Sequence, residues 1–219
     1  MTTKPAPTED LCTAETTRVE AFSDGVFAII ITLLVLEIHR PEVAAGGLGQ
    51  ALIQGWPFYL AYLMAFLYVG VMWLNHHALF QRIRRVDPTL IWINLGILGT
   101  STLMPFPTGL LAIAFHSGNL NDERAAVVLY ALIAGLMSAA WLPMFPYLHK
   151  NRQLVHERVP ELEFRAQFSR PMVGIVANIA AAMLGWFVNP WLALIIFGGM
   201  VAYHALTSQG LRHKGGPAT

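Results

Sequence analysis

Cysteine and charged residues are scarce in this sequence. One cysteine, Cys12, occurs among 219 residues, which excludes an internal disulfide and a cysteine-based metal site. Charged residues make up 12% of the chain, about half the share that is usual in a soluble domain. The net charge of +1 gives no reason to expect a nucleic-acid partner. The composition therefore disfavours both soluble globular proteins and nucleic-acid-binding proteins.

Catalytic motifs are missing as well. The chain contains no H-E-x-x-H, no G-x-S-x-G and no pair of carboxylates within an apolar run, and its eight histidines are scattered. These motifs are the usual sequence marks of metal-dependent and serine hydrolases. The sequence therefore predicts a protein that is not an enzyme and that needs no cofactor or resident metal.

Long apolar runs dominate the chain, since 55% of its residues are hydrophobic. About 20 helical residues cross a hydrocarbon core of about 30 Å. By that length the sequence predicts an all-α integral membrane protein with one set of six transmembrane helices. The six predicted spans are Val19–Ile38, Leu52–Leu74, Leu90–Phe115, Ala125–Leu148, Met172–Val188 and Pro190–Leu206. Prolines in "LMPFPTG" and "WLPMFPY" are expected to kink or end the third and fourth helices near one face.

Lysine and arginine are distributed unevenly between the predicted loops. If the N-terminus is cytosolic, twelve of the 14 lie in cytosolic segments, and only Arg40 and Arg124 lie outside. The positive-inside rule then places both termini in the cytosol. We expect a disordered cytosolic tail at 1–17, a six-helix transmembrane domain at 18–207 and a short cytosolic tail at 208–219.

The first predicted span, "RVEAFSDGVFAIIITLLVLEI", carries polar residues at its entrance and one threonine in its middle. On a helical wheel, Ile29, Thr32 and Leu36 fall on one stripe, and Asp24 points away from that stripe. Glu37 lies near the outer end of the helix and Glu20 near the inner end. Both are expected to attract cations to the two ends.

Polar residues from three spans are predicted to meet at one depth. The second span ends in "WLNHHALF" and the third begins nearby. An ionised group near lipid needs partners because an unpaired charge there is costly. The layer is interpreted either as a hydrogen-bonded clamp between helices or as a proton or metal site of Asp24, His76 and His77, although adjacent histidines chelate one ion poorly. Its members are Ser23, Asp24, Trp73, Asn75, His76, His77 and Asn94.

The start of the first span resembles the R-x-x-x-F-S-D signature of the TMEM175 potassium channels. Arg18, Phe22, Ser23 and Asp24 fill that signature, and "WLNHH" is similar to the Trp-x-x-His pattern of the family. The chain lacks the TVGYG filter of ordinary potassium channels, as that family does. Beyond the second span the resemblance rests on the number and layout of the spans.

This resemblance implies a homotetramer in the bacterial cell membrane, with the first helices lining a central pore. Its partners would be other copies of the chain, membrane lipid and permeating potassium ions. The pore-facing positions of the family fall on Ile29, Thr32 and Leu36. Rings of Ile29 and Leu36 would then form a hydrophobic constriction that closes by dewetting, and Thr32 would supply the polar group that contributes to ion selection.

A proton-conducting channel or proton-coupled transporter that uses Asp24 and His76 or His77 is the alternative. A transporter more often contains an internal repeat and a polar cavity at mid-membrane, and neither is visible in this sequence. The first interpretation therefore remains a potassium-selective channel.

Overall fold

The computed structural model describes residues 14–159 and 161–208, with the backbone alone at 14–15 and 161–166. Residues 1–13 of the predicted N-terminal tail, among them Cys12, and residues 209–219 of the predicted C-terminal tail lie outside the described residues. The last residues of the predicted tail, 14–17, belong to the described part. Ala14–Glu15 forms a short strand, β1, and the first helix begins at Thr16.

Nine helices make up the described part of the chain, and two short strands accompany them. β1 pairs antiparallel with β2, Arg85–Val86, so that Ala14 faces Val86. A 3₁₀ turn, Val35–Glu37, continues the first helix. The helices are α1 Thr16–Leu34, α2 Leu48–Gln54, α3 Trp56–Phe80, α4 Pro88–Ser101, α5 Pro105–Ser117, α6 Leu120–Ala140, α7 Met144–Lys150, α8 Glu161–Phe187 and α9 Pro190–Thr207.

All of these helices except α2 contribute to six segments that are long and apolar enough to cross a membrane, as predicted. The described chain is therefore an all-helical, multi-pass membrane protein. The third segment consists of α4 and α5, and the fourth of α6 and α7. The six segments are Thr16–Glu37, Trp56–Phe80, Pro88–Ser117, Leu120–Lys150, Gln167–Phe187 and Pro190–Thr207.

Proline and cap residues explain where the helices begin and end. Asp87 accepts a hydrogen bond from the Leu90 amide at 2.8 Å and precedes Pro88, so it caps α4. Gly118 ends α5 in the left-handed conformation, at φ 67°, which costs glycine little. Pro105 begins α5 after a break at residues 102–104. This break divides the third span near its middle, not near one face as the sequence suggested.

The helices pack around a core that α1 covers on one side only. α8 packs against α6 and α9, and α3 packs against α1, α5 and α9. α1 rests on α3, α4 and α5, and it is the least buried of the six spans. One face of α1 is therefore left without a partner among the described residues.

Candidate functional site

α1 has one buried face and one exposed apolar face. Its buried residues are Ser23, Phe27, Ile30 and Leu34, spaced so that they lie along one side of a helix. On the other side, Ile29 is 60% exposed and Leu36 is 71% exposed. A soluble single chain would normally bury such a stripe, so this face is suited to meet lipid or other copies of the chain.

Thr32 lies on the exposed side of α1, between Ile29 and Leu36. Its hydroxyl donates to the Ile29 carbonyl oxygen at 2.8 Å. Threonine in a membrane helix commonly makes this bond to its own backbone. Because the proton is committed to the helix, the oxygen can act toward any other group only as an acceptor.

The end of α1 differs from the continuous helix that the helical wheel assumes. Leu36 lies in the 3₁₀ turn Val35–Glu37, where the chain advances more degrees per residue than in an α-helix. The Glu37 carboxylate turns toward α5, and a Cβ atom at Gly109 would lie 1.9 Å from Glu37 Oε2. Glu37 therefore packs against α5 of its own chain at the outer end of the first span.

A chain of hydrogen bonds joins α1, α4 and α3 on the buried side. The Asn94 amide donates from Nδ2 to Ser23 Oγ at 3.0 Å, and the Ser23 hydroxyl donates to the Val19 carbonyl at 2.8 Å. Asn94 Oδ1 lies 2.7 Å from His76 Nε2. Since an amide oxygen only accepts, His76 must carry a proton on Nε2. Ser23, His76 and Asn94 are each at most 1% exposed, so this chain joins three helices away from water.

Asp24 is held against α3 by a single strong contact. The Trp73 indole donates from Nε1 to Asp24 Oδ1 at 2.8 Å, as the donor-only indole requires. Both residues are half-buried. The contact keeps the carboxylate on the α3 side of α1, away from the exposed stripe.

The structure places His77 beside Glu20, a contact that the sequence analysis missed. His77 Nδ1 lies 3.1 Å from Glu20 Oε1, and His77 Nε2 lies 2.9 Å from Gln81 Nε2. Glu20 and Asp24 are four residues apart, so they share one face of α1, and this spacing was the available signal. Ligand atoms of Glu20, Asp24 and His77 lie within 4.8 Å of one another, a group that could hold a metal ion. His76 points elsewhere, so the trio of Asp24, His76 and His77 is not brought together.

Three further predicted residues lie apart from this network. Arg18 and Phe22 are exposed, Phe22 at 56%, and stand four residues apart along one face of α1. Asn75 lines a cavity formed with α6, α8 and α9. Two residues along a helix turn the side chain by about 200°, so Asn75 points away from the side of α3 that carries Trp73. The structure therefore does not bring Asn75 to the polar layer around Ser23.

Replacing Asp24 with alanine is expected to lower the stability of helix packing more than it changes ion selectivity. The Trp73 indole would lose its acceptor in a partly buried site, at a cost of about 1–3 kcal/mol. The measurement is the thermal unfolding midpoint of the purified protein in detergent, with reversal potentials in liposomes measured in parallel. Asp122→Ala, an exposed aspartate of α6, is the control. A fully stable variant whose selectivity alone changed would place Asp24 in the ion path.

Comparison with known proteins finds a matching family and similar proteins in several organisms. The family profile described as "Endosomal/lysosomal potassium channel TMEM175" matches residues 18–105. A protein of Streptomyces collinus named a potassium channel is 38% identical over 191 residues, which cover 87% of this chain and 91% of that protein. The mouse protein named endosomal/lysosomal proton channel TMEM175 is 41% identical over 191 residues, but these cover only 37% of its length.

A solved structure is similar along nearly the whole chain. It is the crystal structure of a lysosomal potassium-selective channel TMEM175 homolog from Chamaesiphon minutus, at 35% sequence identity and a TM-score of 0.76. The match covers 89% of this chain and 98% of that one. The shared architecture therefore extends beyond residues 18–105, the part that the family profile matches.

Proposed function

The chain belongs to the TMEM175 family, and we propose that it is a potassium-selective cation channel. The bacterial relative that it matches over most of both lengths is named a potassium channel. The observation that carries the proposal is the exposed apolar face of α1, because the rest of that helix is packed into its own chain. The activity is transport, not catalysis, and it needs no cofactor beyond the permeating ions.

The proposed assembly is a homotetramer in which four α1 helices surround a central axis. Closed symmetry is the usual arrangement of homo-oligomers. Placing α1 on the axis would turn Ile29 and Leu36 toward the pore. The hydrophobic patch that is exposed on the isolated chain would then lie inside the assembly.

The proposed constriction has two apolar rings with a hydroxyl ring between them. Four Ile29 and four Leu36 side chains offer no oxygen to an ion that has lost part of its hydration shell, so they resist its entry. The Thr32 oxygens would act as acceptors because their protons bond the Ile29 carbonyls. Ion preference would depend on the width of the apolar rings and on this oxygen ring.

Both termini are proposed to be cytosolic, and the protein is proposed to lie in the cell membrane. β1, just before the first span, pairs with β2, in the loop between the second and third spans. The two segments are therefore on the same side. The loop contains Arg82, Arg84 and Arg85, and clustered arginines mark the cytosolic side. The transmembrane domain is proposed to begin at Thr16 and to end at Thr207.

The channel function is tested by reversal potentials of the purified protein in liposomes. With potassium on one side and sodium on the other, we expect the reversal potential to move toward the potassium equilibrium potential. Empty liposomes and liposomes that contain an unrelated membrane protein are the controls. A reversal potential near zero with a measurable conductance would refute potassium selectivity, and no conductance at all would refute the channel.

The assembly is tested by crosslinking through position 36. In a Cys12→Ser background, Leu36→Cys is expected to form inter-subunit disulfides in membranes, because four copies of this residue would surround one axis. Leu132→Cys, at an exposed leucine of α6 (66%), is the control and is expected to crosslink far less. A chain that stays monomeric in lipid would exclude the central pore.

Thr32→Ala is expected to lower the potassium-to-sodium permeability ratio while the assembly stays intact. The substitution removes the hydroxyl oxygens from the narrow zone and leaves the apolar rings in place. Loss of one favourable oxygen contact of about 1 kcal/mol corresponds to about a fivefold change in the ratio. Bi-ionic reversal potentials provide the measurement. Thr102→Ala is the matched control, since Thr102 is also exposed and donates to a carbonyl three residues earlier, that of Gly99, at 2.7 Å. If Thr32→Ala and Thr102→Ala give the same potassium-to-sodium permeability ratio, Thr32 does not contribute to ion selection.

Proton conduction is the second candidate function, because the mouse relative is named a proton channel. The positions of Asp24 and His76 disfavour these residues as a proton path, since both are hydrogen-bonded to other helices and lie away from the exposed face of α1. A pH-sensitive dye inside the same liposomes tests this function. Proton flux that survives His76→Phe and Asp24→Asn would assign any proton leak to the pore itself.

A further inference from the structure

Three side chains that can bind metal ions meet where α1 packs against α3. Glu20 and Asp24 lie about one turn apart on α1, and His77 lies near the end of α3. One ligand atom of each residue lies within 4.8 Å of the other two. These three residues are the α1–α3 ligand group, and they offer two carboxylate oxygens and one imidazole nitrogen to a cation.

The contact between His77 and Glu20 differs from an ordinary hydrogen-bonded ion pair. Glu20 Oε1 lies 3.1 Å from His77 Nδ1, yet this buried nitrogen makes no hydrogen bond within the described residues. The oxygen therefore lies off the line along which an N–H would point. Two atoms bound to one metal ion at octahedral or tetrahedral angles lie about 3.0–3.4 Å apart. The observed separation suits two neighbouring ligands of one ion.

Trp73 holds two members of the α1–α3 ligand group in place. Its indole donates from Nε1 to Asp24 Oδ1 at 2.8 Å, which orients the carboxylate and leaves Oδ2 for an ion. Its ring stacks on the His77 imidazole, with the centroids 5.8 Å apart and the planes at 27°. Supporting contacts that fix the orientation of the ligands are typical of metal sites.

Gln81 supports His77 from the side opposite to Glu20. The Gln81 amide nitrogen lies 2.9 Å from His77 Nε2. Turning the amide over places its oxygen there instead, where it accepts a hydrogen bond from an Nε2–H group. The lone pair of His77 Nδ1 is then available to an ion. A metal-bound imidazole usually donates its other N–H to an oxygen in this way.

An open polar pocket leads to the α1–α3 ligand group. Its volume is about 430 Å³, which is ample for a hydrated ion, since one water takes about 30 Å³. Glu20 and Gln81 lie in its wall, and most of the other lining residues are polar, among them Arg84 and His156. The pocket lies beside β1 and β2, on the side that is proposed to be cytosolic.

We propose that Glu20, Asp24 and His77 bind a divalent transition-metal ion, for which Zn²⁺ is the probe, and that this ion bridges α1 and α3. The two carboxylates balance the charge of the ion, and the imidazole favours transition metals over Mg²⁺ and Ca²⁺. Water would complete the coordination, as it does in other sites with three protein ligands. The sequence predicted no resident metal because the third ligand comes from a different helix.

The proposed site lies away from the proposed ion path. Glu20 precedes Ile29 by nine residues, which places it about 180° around α1 from Ile29. The ion is therefore bound on the opposite side of the helix from the exposed stripe, and it is not a permeating ion. Because it joins α1 to α3, it is expected to stabilise the packing of these two helices.

The binding is tested with the full-length protein in a Cys12→Ser background, because a thiol also binds Zn²⁺. After a chelator has removed bound metal, isothermal titration calorimetry in detergent should show one Zn²⁺ per chain, bound about tenfold or more tightly than Mg²⁺. Crystals grown with Zn²⁺ should give an anomalous peak within about 2.5 Å of the three ligand atoms. The thermal unfolding midpoint should rise with the Zn²⁺ concentration, since the bridged site exists only in the folded chain.

Glu20→Gln and His77→Gln should each weaken Zn²⁺ binding about tenfold or more, because even a contact that only supports a metal ligand is commonly worth about 10–100-fold in affinity. His149→Gln is the matched control and should leave Zn²⁺ binding unchanged. His149 is also half-buried, and its Nδ1 also lacks a hydrogen-bond partner among the described residues. It belongs to no group of three metal-ligating residues in the described part of the chain.

Equal Zn²⁺ affinities of the parent and of both ligand variants would overturn the proposal. So would an anomalous peak at another site with none at the α1–α3 ligand group, or ordered water alone between the three side chains in crystals grown with Zn²⁺. Zn²⁺ bound no more tightly than Mg²⁺ would also overturn it. The crystals and titrations of the parent need no variant, and none of these measurements depends on conductance.

Discussion

Ile29→Asn is expected to raise the basal current about tenfold or more and to loosen the preference for potassium. An amide in each of four subunits would keep water in the ring of residue 29, which is otherwise apolar and loses its water by dewetting. If the amides lower the barrier to ion entry by about 1.4 kcal/mol, within the range for a polar group in an apolar site, the current rises about tenfold. Single-channel and macroscopic currents in planar bilayers measure the effect.

Ile179→Asn is the matched control for this experiment. Ile179 lies on α8 and is 59% exposed, nearly the same as Ile29 at 60%. The control carries the same chemical change onto another exposed helix face, where it should leave the basal current near that of the parent. If the two variants have the same basal current, the exposed face of α1 contacts lipid and does not line the pore, and the constriction lies elsewhere.

Asn94→Leu is expected to destabilise the protein by about 2–4 kcal/mol, the largest stability effect among these variants. Asn94 bonds both Ser23 and His76 in a site with almost no exposure. Its removal leaves the His76 N–H and one Ser23 lone pair unpaired, and each buried orphan costs about 1–3 kcal/mol. The thermal unfolding midpoint in detergent should fall, and less assembled protein should be recovered.

Two companion variants separate this network from ordinary packing. Ser101→Ala is the control on the same helix, because Ser101 is also buried but bonds only the Ile97 carbonyl of its own helix. It should change the midpoint little. Combining Asn94→Leu with His76→Phe removes both partners, so the double variant should recover part of the loss. Additive losses in the double variant would contradict a direct bond between the two residues.

The polar network was only partly predictable from the sequence, and the residues around α3 illustrate the reason. The depth of each polar group follows from its distance to the end of a span, so the meeting of Ser23, His76 and Asn94 could be anticipated. Partner choice depends on the rotation of each helix about its axis. A shift of one residue turns a side chain by about 100°, which separates His76, bonded to Asn94, from His77, which lies against Glu20.

The sequence by itself determined the all-helical class, the number of spans, the family signature and the stripe of Ile29, Thr32 and Leu36. Membrane thickness sets the length of each apolar run, and helical periodicity sets the stripe. Only the tertiary structure decided that Asn75 lines a cavity, that Glu37 packs against Gly109 and that the third span breaks near its middle. These features depend on how neighbouring helices fill or leave space, because a side chain's partner is set by packing between distant segments and not by its place in the chain.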